Sequence, residues 1–304
     1  MIKATNLALA LIALVAAHGF CQPRGAKFGY PPEMPGARSE IYKTVGDVKL
    51  NMYIFEPAGH KPSDRTPAIV FFFGGGWTAG SPAQFYQHCR HLAERGMVAM
   101  TADYRVSTRH KVKALQCVQD AKSAVRWIRA NAKRLGVDPD HIAAGGGSAG
   151  GHLAAAIGTI AGLDEPAEDS SISSVPNALV LFNPAVVLSM EGLPQLGDPK
   201  RIEGLAARMG IEPIKLSPYH HVKKGVPPTI IFHGTADTAV PFKTVELFAE
   251  AMTKAVNQCK LVPYEGRTHG FFNFGRGNGS DYQSTLRMMD AFLVEEGFLK
   301  PPSK

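Results

Sequence analysis

Cysteine is scarce in this chain. Its 304 residues include four, Cys21, Cys89, Cys117 and Cys259, and nothing resembles a Cys-x-x-Cys or His-x-x-x-His metal-binding spacing. A Cys89–Cys117 bridge is open to an exported chain, and three buried thiols fit equally well. Long apolar runs are also few. Leu7 to Ala17 is the longest, and it is too short to span a bilayer. With Lys3 before it and Ala16, Ala17 and Gly19 after it, residues 1–21 read as a secretory signal peptide cleaved after Ala17 or Gly19. Phe20 directly before Cys21 argues against a lipidated cysteine. The expected location is therefore secreted or periplasmic, with no stable membrane span. A net charge of +7 is modest, and the basic clusters, such as Arg105 to Lys113, lack interleaved aromatics. Nucleic acid is accordingly not an expected partner.

What is present has the composition of a globular protein, 45% hydrophobic and 19% charged. Residues 22–39 form an extended lead-in, and residues 40–300 are expected to fold as one domain. Ile41 to Val45 and Val48 to Phe55 alternate apolar and polar, predicting an antiparallel pair turned at Gly46-Asp47. Continuous apolar runs follow at 68–73, 97–102, 141–145, 178–182 and 229–232, as expected of strands buried on both faces. A further strand is expected at 260–264. Helical patterns separate them: one from Pro82 with Ser81 as its cap, one over 112–135 closed by Gly136, one from the serine motif to about Gly162, then 241–256 and 281–297. Residues 186–216 read as a small insertion with a helix near Ile202 to Met209. The alternation predicts an α/β fold, a doubly wound, mostly parallel sheet with antiparallel N-terminal strands.

The sequence is organised around Gly146-Gly147-Ser148-Ala149-Gly150. A strand, Gly-x-Ser-x-Gly and then a helix is the context of a strained turn that lifts the Ser148 hydroxyl clear of the sheet. Only small residues fit beside such a turn. A serine hydroxyl needs a base, and the base needs an acid to fix its tautomer. Later strand ends supply both: His233-Gly234-Thr235-Ala236-Asp237 offers Asp237, and Gly266-Arg267-Thr268-His269-Gly270 offers His269. Asp198 and Asp164 are weaker acids, and Asp103 reads as structural, paired with Arg105. Among rival histidines, His152 is expected to pack or hydrogen-bond on the helix after Ser148, and His233 to brace the acid loop. Phe73-Gly74-Gly75-Gly76-Trp77 ends an early strand. The amides of Gly75 and Gly76, with that of Ala149, are the expected donors to a developing oxyanion. Trp77, Phe271 and Phe272, with Phe274, are candidates to line the substrate cleft, and Arg267 to touch substrate.

From about Ile41 onward these segments, with Asp103-Tyr104-Arg105 and Asp120-Ala121-x-x-Ala124-x-x-Trp127, resemble the α/β-hydrolase family, specifically its esterases with a His-Gly-Gly-Gly-type loop. The chain looks like the secreted bacterial acetylxylan and feruloyl esterases among them. The resemblance implies a serine carboxylesterase acting on short acyl esters, small or polysaccharide-borne, through an acyl-enzyme and without metal or cofactor. An amidase, arylformamidase or peptidase on the same fold is the alternative, and a noncatalytic binding protein a remote one. Phe73 departs from the pattern, standing where such loops usually carry histidine. The loop must then be held by packing rather than by that histidine's hydrogen bonds.

Overall fold

The computed structural model describes residues 29–193 and 200–302. The leader reading for residues 1–21 and the candidate Asp198 lie outside them. Arg38–Val45 (β1) and Val48–Phe55 (β2) form the expected hairpin, with Gly46 at φ 56 in its turn. Thr66–Phe72 (β3), Val98–Ala102 (β4), Val137–Gly147 (β5), Ala178–Phe182 (β6), Thr229–Gly234 (β7) and Cys259–Tyr264 (β8) run parallel to their neighbours among themselves. β2 joins them antiparallel to β4, giving the order β1-β2-β4-β3-β5-β6-β7-β8.

Strand side chains alternate between two faces, and each face has its own core. On one, Ile69, Phe71, Ala99, Ala143, Val180 and Ile230 meet Tyr86–Glu94 (α1) and Ser280–Glu295 (α8). On the other, Val70, Phe72, Met100, Ala144, Leu181 and Ile231 meet Ala114–Ala130 (α3), Ala149–Thr159 (α5) and Phe242–Lys254 (α7). Each fully buried Leu, Ile or Phe contributes roughly 2 kcal/mol by leaving water. Among the described residues no helix is long and apolar enough to cross a membrane.

Several local expectations need correction. Ser107–His110 (α2) is a helix turn with no clear sequence signal, whereas Lys200–Met209 (α6) is the helix expected near Ile202 to Met209. The single helix expected over 112–135 divides at Asn131 into α3 and Ala132–Leu135 (α4), and Gly136 closes it at φ 64. Asn131 turns its amide back onto the Trp127 carbonyl at 2.9 Å, which competes with continuation of the helix. Cys89 packs in the α1 core and Cys117 in the α3 core, so the sheet separates them and no bridge forms; both are free thiols, as is Cys259. Asp103 does not pair with Arg105. Its carboxylate folds back onto the Tyr104 N–H, takes the Tyr30 hydroxyl at 2.6 Å and faces Arg109. Arg105 instead grips the buried Asp120 of α3 at 2.7 Å, with Lys43 at 2.8 Å on the same carboxylate. Asp164 is likewise engaged elsewhere, held at 2.6 Å by Arg126.

The winding of the sheet positions the site. β3 leads outward to β4, whereas its neighbour β5 leads the opposite way to β6. Adjacent strands whose connections diverge leave a crevice beyond their carboxyl ends. Gly74-Gly75-Gly76 follows β3 and Ser148 follows β5, so both border that crevice.

Candidate active site

Ser148 sits between β5 and α5 at φ 54, ψ −118, a backbone conformation that side chains with a Cβ rarely adopt. Its neighbours show why the turn needs glycine. A Cβ on Gly146 would lie 2.5 Å from the Gly150 carbonyl, and one on Gly150 would lie 2.0 Å from the Phe72 oxygen. Neither distance is tolerable, so the approach of α5 to β3 depends on bare backbone at both positions. The strain is held on both sides: the Ser148 N–H donates to the Phe182 carbonyl of β6 at 2.9 Å, and the Ser148 carbonyl accepts the first helical bond of α5 from His152 N–H at 2.9 Å.

The loops after β7 and β8 complete the constellation. Ser148 Oγ is 2.9 Å from His269 Nε2, and His269 Nδ1 is 2.7 Å from Asp237 Oδ2. Asp237 Oδ1 accepts the Ala239 and Val240 N–H groups, each at 2.9 Å. His233 Nε2 lies 3.3 Å from Asp237 Oδ2 and 2.8 Å from the Val240 carbonyl, so it braces the acid loop as expected. Burial pushes the Asp237 carboxyl up, but hydrogen bonds from His233, His269 and Val240 outweigh it and hold the group well below the usual carboxylate range. Asp237 is therefore a fixed anion facing Nδ1, which leaves Nε2 free to accept a proton from the serine.

Across from the serine, the glycine loop leans against the elbow. A Cβ on Gly74 would lie 3.3 Å from Ser148 Cβ, and one on Gly75, at φ 134, would lie 2.1 Å from the Ala79 oxygen. Among the described residues, the N–H groups of Gly75 and Gly76 donate to no protein acceptor. With Ala149 N–H at the start of α5 they form a set of donors suited to a developing oxyanion. Phe73 holds its loop in two ways: its ring stacks on Tyr104 at 4.0 Å between centroids, and its carbonyl accepts the Tyr104 hydroxyl at 2.7 Å. A second anchor, the Gly74 N–H donating to Gln84 Oε1 at 2.6 Å, gave no sequence signal.

The cleft beside Ser148 encloses about 350 Å³. Its wall includes Gly76, Trp77, Ala149, Val187, Leu188, Met190, Leu205, Arg208 and Val240. Trp77 borders it as expected, but it is only 4% exposed and its indole N–H donates to His152 Nδ1 at 3.1 Å. His152 in turn meets the Leu216 carbonyl through Nε2 at 2.8 Å, and burial pushes its pKa down to about 4. It is thus a buried packing residue. Phe271 and Phe272 do not line this cleft. The Gly270 turn, at φ 78, sends the chain towards the core beside α1 and α8, where Phe272 stacks on Phe182 at 4.6 Å and Phe271 lies tilted against Tyr264 at 4.6 Å. Phe274 packs edge-on against Tyr282. Arg267, Thr268, Arg276, Asn278 and Asp281 line a second, polar recess on the other side of His269, bordered by Phe271. Arg267 pairs there with Asp281 at 2.7 Å.

A serine on a strained strand-to-helix turn, reached by an acid and a histidine from later strand ends of this sheet, defines the α/β-hydrolase fold. Within that class the chain belongs to the BD-FAE family, whose profile matches residues 52–252. Esterase LipC of Mycobacterium tuberculosis is 30% identical over 227 residues, covering 69% of this chain and 54% of that protein. The chain spans about half the length of the curated relatives it matches. Among solved structures, Thermogutta terrifontis esterase 2 phosphonylated by sarin is 59% identical with a TM-score of 0.88, covering 90% of this chain and 100% of that one. The butyrate-bound form of the same esterase is 59% identical with a TM-score of 0.87, covering 91% of this chain and 100% of that one.

Proposed function

We propose that this protein is a serine carboxylesterase cleaving short acyl esters, with Ser148, His269 and Asp237 as its catalytic triad. The observation that carries the reading is the unbroken hydrogen-bond chain from Ser148 Oγ through His269 to the Asp237 carboxylate. In this mechanism Ser148 Oγ attacks the ester carbonyl while His269 Nε2 takes its proton. The carbonyl oxygen, now negative, is met by the amides of Gly75, Gly76 and Ala149, each such donor being worth about 3 kcal/mol of barrier. The alcohol leaves with the proton from His269. A water then repeats the sequence on the acyl-enzyme and releases the acid, with His269 again as base.

The acyl group is short because the cleft beside Ser148 is small and closed by apolar side chains such as Leu188, Met190 and Leu205. Structures of the Thermogutta esterase with propionate and with butyrate support this size class. The alcohol side is polar, and the recess of Arg267, Thr268 and Asn278 beyond His269 supports a hydroxyl-rich carrier such as a carbohydrate. Polysaccharide esters would be met outside the cell, in keeping with the leader-like residues 1–21 and a secreted or periplasmic location.

Hydrolysis of p-nitrophenyl esters from acetate to decanoate tests the enzyme reading. Activity should peak at two to four acyl carbons and vanish in Ser148→Ala. Retained activity in that variant would defeat the assignment. Acetate release from acetylated xylan, compared with p-nitrophenyl acetate, tests the carrier, and no release from the polymer would leave only small esters.

A further inference from the structure

We propose that Gln84 and Asn273 are positioning residues, a relay of two side-chain amides that locks the oxyanion loop to the loop carrying His269. The inference rests on the esterase reading and adds a device to it. Gln84 lies in the Pro82–Phe85 turn ahead of α1, and its Oε1 accepts the Gly74 N–H at 2.6 Å. Its Nε2 donates to Asn273 Oδ1 at 2.9 Å, across a sequence gap of 189 residues. Asn273 Nδ2 then donates to the Gly270 carbonyl at 2.9 Å, one residue from the candidate base. The Gly270 N–H is taken at 2.9 Å by Oδ1 of Asn183, which is 1% exposed and follows β6. Gly270 is thereby gripped on both its polar groups, and one of the two grips leads through Gln84 to the glycine loop.

The Gln84 amide occupies the seam between loop and elbow. A Cβ on Gly74 would lie 3.5 Å from Gln84 Oε1, and one on Gly147 would lie 3.4 Å from Gln84 Nε2. The reacting geometry needs three parts in register: the serine, the amides of Gly75 and Gly76, and His269. The elbow fixes the first through its own backbone. The other two ride on separate loops after β3 and β8, strands that are not neighbours in the sheet. Tyr104 holds the first loop and Asn183 the second, whereas the amide relay bonds one loop to the other. Glutamine and asparagine suit the task because each carries an acceptor and a donor, so a link passes through without charge. An ångström of drift between these loops is enough to lower turnover about a hundredfold.

The test compares Gln84→Met, Asn273→Ala and the double variant with wild type on p-nitrophenyl butyrate. Expected is a tenfold to hundredfold fall in kcat for each single variant with KM changed less than about threefold. The double variant should lose little more than the worse single one, because both cut the same link. Gln84→Glu retains the acceptor for Gly74 and serves if the Met variant is unstable; it should lose less kcat. Amide hydrogen exchange supplies a readout free of catalysis: Gly74 is protected in wild type, exposed in Gln84→Met, and partly exposed in Asn273→Ala. Unchanged kcat in the single variants, fully multiplicative losses, or Gly74 protection indifferent to Asn273 would each overturn the relay. Failure of wild type to cleave the ester would instead overturn the esterase reading, and the exchange pattern would still decide whether the loops are coupled.

Discussion

The two halves of the crevice are held in opposite ways. The elbow at Ser148 is set by backbone: glycines at 146 and 150 admit the close approach, and the Phe182 carbonyl takes the serine N–H. The facing loop at Gly74 to Gly76 also needs a bare Gly75, but it is anchored to the rest of the fold by side chains that come from far away, the Tyr104 ring and hydroxyl and the Gln84 amide. A backbone-set turn is all-or-none, because a methyl group in the wrong place has nowhere to go. A side-chain-set loop can be loosened one bond at a time. The elbow should therefore break abruptly and the loop by degrees.

The largest expected effect removes the elbow's chemistry while leaving its fold. Ser148→Ala should lower kcat by about 10⁴-fold or more with little change in melting temperature. Asp237→Asn should approach the same loss, about 10⁴-fold, because the amide no longer fixes the His269 tautomer. Gly150→Ala attacks the elbow's shape: with a Cβ 2.0 Å from the Phe72 oxygen, the variant should lose several kcal/mol and fail to accumulate as folded protein, read by circular dichroism. On the loop side, Tyr104→Phe keeps the stack on Phe73 and removes one hydrogen bond. It should lower stability by about 1 kcal/mol and kcat only severalfold, and a collapse like that of Gly150→Ala would erase the contrast.

The smallest effect lies away from the crevice and concerns acid. His88 is buried among Phe71, Phe85, Phe182, Phe272 and Tyr282, and among the described residues neither ring nitrogen has a partner. Burial pushes its pKa down to about 3, as it pushes that of His152 down to about 4. An unfolded histidine titrates near pH 6.5, so between there and these lower values the unfolded chain binds more protons than the folded one. The stability contributed by keeping both rings neutral is complete above about pH 6.5 and is lost as pH falls towards 4 and then 3. His88→Leu should flatten that acid limb in chemical denaturation and raise stability at pH 5 by about 1 kcal/mol. An unaltered pH profile would count against this account of His88.

Much of the site was legible because its logic is local. Ser148 needed only its immediate neighbours, and the bulk excluded around Gly146 and Gly150 is written in the glycines themselves. The apolar runs marked the strands, and the strand ends then nominated the residues just beyond them, Asp237 after β7 and His269 after β8. Other features depend on which strands lie side by side, a matter on which short stretches are silent. The chain gave no reason to join Gln84 to Asn273, or Arg105 to Asp120 rather than to Asp103. Phe271 and Phe272, next to His269 in sequence, were expected in the cleft. The Gly270 turn instead carries Phe272 into the core beside α1 and α8 and leaves Phe271 at the edge of the recess beyond His269. Cys89 and Cys117 were open to pairing until the sheet was seen to lie between them. The sequence by itself thus determined the α/β architecture and nominated the candidate nucleophile with its order relative to acid and base, since these follow from sterics and periodicity between near neighbours. Only the tertiary structure decided how the oxyanion loop is held and what lines the cleft, since those contacts depend on the order of strands in the sheet.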